Sequence, residues 1–232
     1  PDRPVIFMGV GFETTTPTIA AAILEAEARG LLNFSVYCAH KTTPPALRAI
    51  ANDPETTIDG FILPGHVATI TGLAPFGFLV DEFNTPCVVT GFEPVDILQG
   101  ICMLVQMVVE DRPAIDNAYR RGVNADGNPV ARQLVEQVFE PCDTTWRGLG
   151  PIAASGLSIR PEFSRFDARV RFDVPVEPTV EPRGCRCGDV LRGAITSSDC
   201  PLFGHACTPE HPVGPCMVSS EGSCAAYFRY RG

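Results

Sequence analysis

Residues 5–17 read VIFMGVGFETTTP, a short apolar run that ends in a glycine and polar residues. An Ala- and Leu-rich segment follows it directly. The apolar run predicts a strand at Val5–Val10. Thr16 and Pro17 are typical of an N-cap and a first helical position, so a helix should begin there, and Gly30 should end it. This stretch therefore predicts one strand–turn–helix unit.

Similar apolar runs recur downstream. They predict strands at Phe34–Cys38, Gly60–Leu63 and Cys87–Thr90, each of which is followed by a turn and a helical pattern. Strands that alternate with helices are typical of an α/β fold, here a mainly parallel sheet flanked by helices. Residues 114–140 are helical in pattern, with a turn near 124–129, and apolar–charged alternation in 166–174 predicts a half-exposed strand.

The predicted strands end in titratable residues, namely Glu13, His40, His66 and Glu93. Ligands bind beside the carboxyl ends of strands in such sheets, so we expect these groups to converge on one site. Carboxylates and imidazoles bind metals, transfer protons or hydrogen-bond polar ligands. The alternative is structural: the Glu residues support helix N-termini through the helix dipole. A glycine-rich phosphate motif is missing from the sequence, so a nucleotide cofactor is not predicted.

Six of the ten cysteines lie near the C-terminus in a segment rich in glycine and proline. They are Cys185, Cys187, Cys200, Cys207, Cys216 and Cys224. This segment has little hydrophobic periodicity, so a covalent or metal link is expected to hold it. The other four cysteines are dispersed, which indicates a reducing, cytoplasmic location, where clustered thiols favour metal or redox chemistry. Zinc and an iron–sulfur cluster both take four thiolates, and the lack of paired Cys-x-x-Cys arms favours the cluster.

The net charge and the length of the apolar runs argue against two classes of function. A net charge of -9 without a Lys/Arg cluster argues against nucleic-acid binding, and the longest apolar run, Ile101–Val109, is too short to span a bilayer. We expect an α/β domain at 1–115 that carries the strand-end motifs, and helices and strands at 116–174 that complete the α/β body. A Pro-rich linker at 175–182 should then open a small Cys-rich domain at 175–232, held by zinc or, as the cysteine spacing favours, by an iron–sulfur cluster.

Several motifs together resemble those of the HypD family of hydrogenase maturation factors. They are GFETT at 11–15, FILPGHV at 61–67, GFEPVDIL at 91–98, WRGLG at 146–150, CPLF at 200–203 and PVGPCMVSSEG at 212–222. The resemblance implies a scaffold that assembles the Fe(CN)2CO moiety of [NiFe]-hydrogenases together with a HypC-like small chaperone. A HypE–HypF complex would supply the cyanide, and a [4Fe-4S] cluster in the C-terminal block would serve redox chemistry.

The resemblance also implies roles for individual residues. Cys187, Cys200, Cys207 and Cys224 are the expected cluster ligands, and Cys185 and Cys216 the expected dithiol–disulfide pair, by likeness to cluster-containing disulfide reductases. Glu13, Thr14, Thr15, His66 and Glu93 are expected around the reaction space, where they hydrogen-bond cyanide or carry protons.

One departure from the family pattern concerns an upstream domain. No stretch of the sequence matches the family's Cys-Gly-Pro-Gly-Cys-Pro-Val-Cys-like motif, which includes the expected ligand of the nascent iron. The chain is therefore expected to be a piece of a longer protein. Two alternatives remain open: an iron–sulfur dithiol/disulfide reductase, and a zinc-stapled interaction module.

Overall fold

The computed structural model describes residues 3–173, 175 and 180–231. The chain divides into two compact units. The first comprises Pro1–Arg48, Asp59–Thr144 and Ala153–Val174, and the second comprises Ala49–Ile58, Thr145–Ile152 and Pro175–Gly232. The predicted linker at 175–182 lies partly outside the described residues.

Five strands of the first unit form two parallel sheets. Strands β1 (Val5–Gly11) and β2 (Phe34–His40) pair in register from Val5 opposite Phe34 to Gly11 opposite His40. Strands β3 (Phe61–Pro64), β4 (Cys87–Thr90) and β5 (Ile115–Asn117) form the other sheet in that order. The α/β class with parallel strands and flanking helices is confirmed, although the strands form two sheets rather than one. An apolar run predicts a strand but does not specify its neighbours.

Ten α-helices, three short 3-10 helices (Ala74–Phe76, Pro161–Phe166 and Ser197–Asp199) and one further strand pair complete the described chain. The helices are α1 (Thr16–Ala28), α2 (Thr43–Ala51), α3 (Gly65–Thr71), α4 (Phe78–Asp81), α5 (Pro94–Val109), α6 (Pro129–Val138), α7 (Ala168–Arg171), α8 (Cys187–Leu191), α9 (Pro215–Val218) and α10 (Ser223–Arg231). Strands β6 (Phe139–Trp146) and β7 (Gly150–Ile159) pair as a hairpin. A search of the described helices finds none with the length and apolarity that crossing a bilayer requires.

The core of the first unit lies between α1, β2 and the α6–β7 region. Its buried members are Ile19, Ala20, Ile23, Ala26, Val36, Cys38, Val138, Phe139, Leu157, Ile159, Phe163 and Phe166. Gly30 ends α1 as predicted: its φ of 63° is in the left-handed region, and its N–H donates to the carbonyl of Glu27. The helix therefore turns back at the point from which β2 can enter this core.

The strand predicted at 166–174 is wrong. Pro161–Phe166 forms a 3-10 helix, and Ala168–Arg171 forms the short helix α7, while Val174 lies outside the described residues. The carboxylate of Asp167 accepts a hydrogen bond from the amide of Arg169 at 2.8 Å, which caps α7. This local cap favours a helical turn over the extended conformation that the alternating pattern suggested.

The buried interior of the second unit consists largely of thiols. It contains Cys187, Cys207, Cys216, Met217, Cys224 and Ala225, and partly buried apolar residues such as Phe203 and Phe228 pack against it. The guanidinium of Arg192 pairs with Asp53 at 3.0 Å, and its carbonyl accepts from the hydroxyl of Thr56. These contacts join residues 49–58 to the cysteine-rich segment.

Candidate metal centre and strand-end sites

Three buried thiols meet in the second unit. The Sγ atoms of Cys187, Cys216 and Cys224, which lie on α8, α9 and α10, are all within 4.8 Å of one another. Gly214, directly before α9, makes this approach possible. A Cβ at that position would lie 2.5 Å from the Sγ of Cys185 and 2.7 Å from the Sγ of Cys187. Only glycine fits beside these sulfurs without displacing them.

The other three clustered cysteines lie in the same unit. The Sγ of Cys207 accepts a hydrogen bond from the amide of Val213 at 3.3 Å, and the Sγ of Cys200 lies 4.0 Å from the carbonyl of Gly184. All ten cysteines are in described parts of the chain, and each carries a free thiol. The structure thus brings the predicted ligands Cys187 and Cys224 together with Cys216, which was assigned to the redox pair. The division into four ligands and two redox thiols stays a prediction.

Without a bound cation, the three buried thiols of Cys187, Cys216 and Cys224 resist ionisation. Burial raises the pKa of the Cys187, Cys216 and Cys224 thiols, and repulsion from neighbouring sulfurs adds to this. The amide of Cys216 partly offsets the effect at Cys187, because it donates to that Sγ at 3.4 Å. Thiolates in such a pocket need a bound cation to neutralise them.

The donor set fits a thiophilic metal. Three buried sulfurs, with a fourth available from Cys185, Cys200 or Cys207, match the thiolate coordination of zinc or of an iron–sulfur cluster. Oxygen-preferring cations such as Mg²⁺ and Ca²⁺ find no suitable ligands in this group of sulfurs. The trio could therefore bind a metal, and its chemistry is that of a soft-metal site.

Glu13 lies at the end of β1 and is buried. Its Oε1 accepts from the amide of Thr43 at 2.6 Å, and its Oε2 accepts from the hydroxyl of Thr43 at 2.9 Å. Because Thr43 is the first residue of α2, the carboxylate occupies the N-terminus of that helix. Burial raises the pKa of Glu13, although these hydrogen bonds oppose the shift. Thr14 and Thr15 are exposed beside it, and the Thr15 hydroxyl donates to the carbonyl of Phe12.

A cavity of about 110 Å³ adjoins Glu13. Its polar lining residues besides Glu13 are Thr16, Thr42, Thr71, Arg132 and Glu136. Such a volume holds several water molecules or a small polar ligand. His66 and Glu93 are not among the described residues that line this cavity.

His66 and Glu93 belong to a second group, at the carboxyl ends of β3 and β4. His66 is exposed on the first turn of α3, and its ring centroid lies 4.9 Å from that of Phe92 and 5.8 Å from that of Tyr119. Glu93 is exposed and pairs with Arg121. The predicted site residues therefore lie in two separate groups of the first unit rather than around one described cavity.

Three residues of the second group were missed by sequence reasoning: Asp96, Tyr119 and Arg121. Asp96 is buried in the first turn of α5 and accepts from both terminal nitrogens of Arg121, at 2.8 and 2.6 Å. This pairing lowers the pKa of the Asp96 carboxyl. Of these three residues, only Asp96 could have been found from the sequence. It lies three residues after Glu93 in the motif GFEPVD, in the first turn of a predicted helix, where a carboxylate is favoured.

Tyr119 packs beside the glycines of the two strand-end motifs. A Cβ added at Gly65 or Gly91 would lie 2.8 or 2.9 Å from an atom of the Tyr119 ring, and closer still to the carbonyl of Thr90 or the carboxylate of Asp96, respectively. A Cβ added at Gly122 would clash with the same ring. The ring is held by Asn117, whose side chain accepts from the Tyr119 amide and donates to the carbonyl of Val123. The helical pattern predicted from residue 114 is wrong here, since β5 and this loop precede α6.

His40 ends β2 and is the most buried of the predicted strand-end residues. Its Nδ1 lies 3.4 Å from the Sγ of Cys38, and its Nε2 has no hydrogen-bond partner among the described residues. Burial lowers the pKa of His40 to about 4. The side chain is therefore a neutral imidazole at neutral pH, packed edge-on against Phe139.

The two units together define a class: an α/β protein with polar strand ends and a thiol-lined centre that could hold metal. A family model described as "HypD: Hydrogenase formation hypA family" matches residues 1–231. The chain belongs to the HypD family.

Three relatives show the extent of the likeness. The chain is 47% identical to "Hydrogenase maturation factor HypD2" of Bradyrhizobium diazoefficiens and 46% identical to "Hydrogenase maturation factor HypD" of Cupriavidus necator, each over 99% of this chain. It is 45% identical to "Hydrogenase maturation factor HypD" of Escherichia coli over 100% of this chain. The match spans 62% of the length of each relative.

Proposed function

We propose that the chain acts in [NiFe]-hydrogenase maturation, as a scaffold with redox capability for the Fe(CN)2CO moiety. Membership of the HypD family and the names of its relatives support this function. The observation that carries the proposal is the trio of buried thiols at Cys187, Cys216 and Cys224, because a maturation scaffold for an iron site must handle metal. The proposal includes a HypC-like chaperone and a HypE–HypF cyanide donor as partners, and a cytoplasmic location.

The resident group in this proposal is a [4Fe-4S] cluster on Cys187, Cys200, Cys207 and Cys224. Such a cluster supplies one-electron transfer when bound. The protein supplies a closed pocket and N–H donors, such as the amide of Val213 on the sulfur of Cys207, which stabilise negative charge on the ligands. Burial raises the pKa of the Cys187 and Cys224 thiols, which supports a bound cation that would favour their ionised forms.

Cys185 and Cys216 form the proposed dithiol–disulfide pair. Cys185 borders Gly214 together with Cys187, so both proposed redox thiols lie beside a proposed ligand. A thiol pair next to a one-electron centre can couple electron flow to formation and reduction of a disulfide. Formation of the bond would release two protons and two electrons, so a one-electron centre would have to pass the electrons in two successive steps to an external redox partner, and reduction of the bond would reverse this.

The strand-end residues are assigned to the iron cargo and its diatomic ligands. Glu13 adjoins a cavity of suitable size for small polar ligands, and Thr14 and Thr15 expose hydroxyl groups nearby. His66 and Glu93 are exposed at the other strand ends. We assign to these groups hydrogen bonding to cyanide nitrogens and proton transfer.

The spacing of the trio also favours a second candidate, a zinc-stapled module. A tetrahedral zinc site with Zn–S bonds of about 2.3 Å places its sulfurs about 3.8 Å apart. Sulfurs within 4.8 Å of one another are close to that arrangement. Zinc would hold the unit together but would carry no electrons.

Metal analysis of the anaerobically purified chain separates the two candidates. The cluster predicts a brown protein with about four irons and four sulfides per chain, whereas the zinc module predicts a colourless protein with about one zinc. Serine variants of the six clustered cysteines locate the ligands, and Cys102→Ser, at an exposed thiol on α5, is the control. Loss of iron in the variants of residues 187, 200, 207 and 224, with iron retained in those of 185 and 216, supports the partition. Loss of iron in the Cys216→Ser variant refutes that partition.

A further inference from the structure

Ser197 is a buried hydroxyl residue within an exposed turn of the second unit. Its residue surface is 3% exposed, whereas Thr196, Ser198 and Asp199 around it are exposed. Burial of a hydroxyl costs free energy unless a hydrogen bond compensates for the lost water. Alanine would fill nearly the same space without that cost, so the hydroxyl of Ser197 needs a partner inside the unit.

The partner of the Ser197 hydroxyl is a sulfur of the candidate metal centre. The hydroxyl hydrogen-bonds to the Sγ of Cys224, which lies on the first turn of α10 and belongs to the trio of buried thiols. A thiolate has no proton to donate, so the hydroxyl must be the donor once Cys224 is ionised. Because metal ligands of this type bind as thiolates, the contact becomes an O–H···S hydrogen bond to a metal-bound sulfur.

The backbone of Ser197 contacts a second cysteine of the block. Its carbonyl accepts a hydrogen bond from the amide of Cys200 at 3.3 Å. Cys200 and Cys224 are both proposed ligands, and they lie on different segments of the second unit. Ser197 therefore contacts two proposed ligands at once, one through its side chain and one through its carbonyl.

Hydrogen bonds within the turn hold Ser197 in place. The carboxylate of Asp199 accepts from the amide and the hydroxyl of Thr196, at 2.8 and 2.7 Å. The hydroxyl of Ser198 lies 2.9 Å from that of Thr196 and 3.4 Å from that of Tyr227, which is on α10. The turn is thus fastened to the helix that carries Cys224. Ser198 is a matched neighbour of Ser197, because its hydroxyl contacts other hydroxyls rather than a sulfur.

Other sulfurs of the block accept hydrogen bonds from backbone amides. The Sγ of Cys207 accepts from Val213 at 3.3 Å, and the Sγ of Cys187 accepts from Cys216 at 3.4 Å. Ser197 differs in donating from its side chain, so a substitution can remove this hydrogen bond and leave the backbone intact. Hydrogen bonds to metal-bound sulfurs stabilise their negative charge, which favours metal binding and the reduced state of a cluster.

We propose that Ser197 is a positioning residue of the metal centre. Its hydroxyl donates to the Cys224 thiolate, strengthens metal binding at that sulfur and raises the reduction potential of a bound cluster. The effect on the potential rests on the proposed function, whereas the effect on affinity applies to zinc as well as to iron.

Redox titration of the anaerobically purified chain tests the first effect, with the reduced cluster followed by electron paramagnetic resonance. Ser197→Ala should shift the equilibrium toward the oxidised cluster by about tenfold, which corresponds to a potential lower by about 59 mV for a one-electron couple. Ser198→Ala, which removes the neighbouring hydroxyl, should keep the potential of the parent. An unchanged or raised potential in Ser197→Ala overturns the proposal, and so does an equal shift in Ser198→Ala.

Chelator competition tests the second effect without relying on a cluster. The zinc-loaded chain is titrated with a chromophoric chelator, and Ser197→Ala should bind zinc at least about tenfold more weakly than the parent and Ser198→Ala. A purified protein with zinc and no iron would refute the proposed cluster, and this measurement would still decide the role of Ser197. Equal zinc affinity in the parent and Ser197→Ala overturns the proposal.

Discussion

The carboxylate of Glu13 holds Thr43 by two hydrogen bonds, one to its backbone amide at 2.6 Å and one to its hydroxyl at 2.9 Å. The GFETT turn after β1 is thereby fixed to the first residue of α2, thirty residues later in the chain. A residue predicted from strand-end position to serve chemistry is thus also part of the scaffold. Both roles are compatible, because the same side chain lines the adjoining cavity.

Replacing Glu13 separates these two roles. Glu13→Ala should destabilise the chain by about 1–2 kcal/mol, the cost of losing a helix-terminal hydrogen-bond acceptor. Glu13→Gln keeps an acceptor for the Thr43 amide and should cost less, while it abolishes any proton transfer by this side chain. Chemical denaturation of both variants measures the first effect, and metal content checks that the second unit is unaffected. Equal stability of the two variants would contradict the role of the carboxylate at α2.

The Asp96–Arg121 pair should show strong coupling. Arg121→Ala leaves a buried carboxylate without its bidentate partner, so the melting temperature should fall more than for Glu93→Ala, which removes the exposed partner. The double variant Asp96→Asn/Arg121→Ala should lose less stability than the sum of the single variants, as a double-mutant cycle would measure. Additive effects would show that the pair contributes nothing jointly.

The same pair predicts a pH dependence. Arg121 lowers the pKa of Asp96, so the ionised pair stabilises the folded state above the unfolded carboxyl pKa, and this stability is lost as pH falls through the folded pKa. In Arg121→Ala the loss should begin at higher pH. Denaturation midpoints between pH 3 and pH 6 would show the shift as a changed slope.

His40 should make the first unit sensitive to mild acid. Its pKa is about 4 in the folded chain and 6.5 when unperturbed, so the unfolded state binds a proton that the folded state excludes. Stability should therefore fall as pH decreases from about 6.5 to 4, by up to about 3 kcal/mol. Urea denaturation of the parent and His40→Leu at several pH values measures this. An unchanged pH profile in the variant would assign the effect to other groups.

Gly214 should be required for metal binding. A methyl group there would contact the sulfurs of Cys185 and Cys187, so Gly214→Ala should lose most of the bound metal. Gly204→Ala is the control: nothing lies within 4 Å of its added Cβ, although its φ of 71° makes the substitution mildly strained. Iron and zinc content per chain distinguishes the two variants. Full metal content in Gly214→Ala would contradict the close approach of this backbone to the thiols.

Local sequence patterns predicted the positions of strands and helices better than they predicted which strands pair. The strand at 87–90 followed from an apolar run, and the start of α1 followed from Pro17. The N-cap of α1 is Thr15, which makes no side-chain capping hydrogen bond, and not Thr16 as predicted. The division of the strands into two sheets depends on long-range pairing, which an apolar run does not encode. At Asp167 a local signal was overlooked: its side chain caps α7, in a segment where the alternating pattern predicted a strand.

The two candidate sites differ in how much of each could be predicted from the sequence. The cysteine block could be identified from the sequence, because its six thiols are clustered in a Gly- and Pro-rich segment with little hydrophobic periodicity. Tyr119 and Arg121 could not, because they follow a three-residue strand and act through long-range contacts: Tyr119 lies beside Gly65 and Gly91, and Arg121 pairs with Glu93 and Asp96. A glycine in a sequence shows that space is needed but does not show which side chain fills it.

The sulfur-rich interior of the second unit links its folding to oxygen. Few apolar side chains besides the thiols form this interior. Conversion of one buried thiol to a sulfinic or sulfonic acid would therefore place a charge inside the small packed core of the unit. Oxidative damage then acts on this unit as a denaturant would, and it does so irreversibly. Because burial and raised pKa values keep these thiols protonated and shielded, we expect oxidants to reach them only when the unit opens.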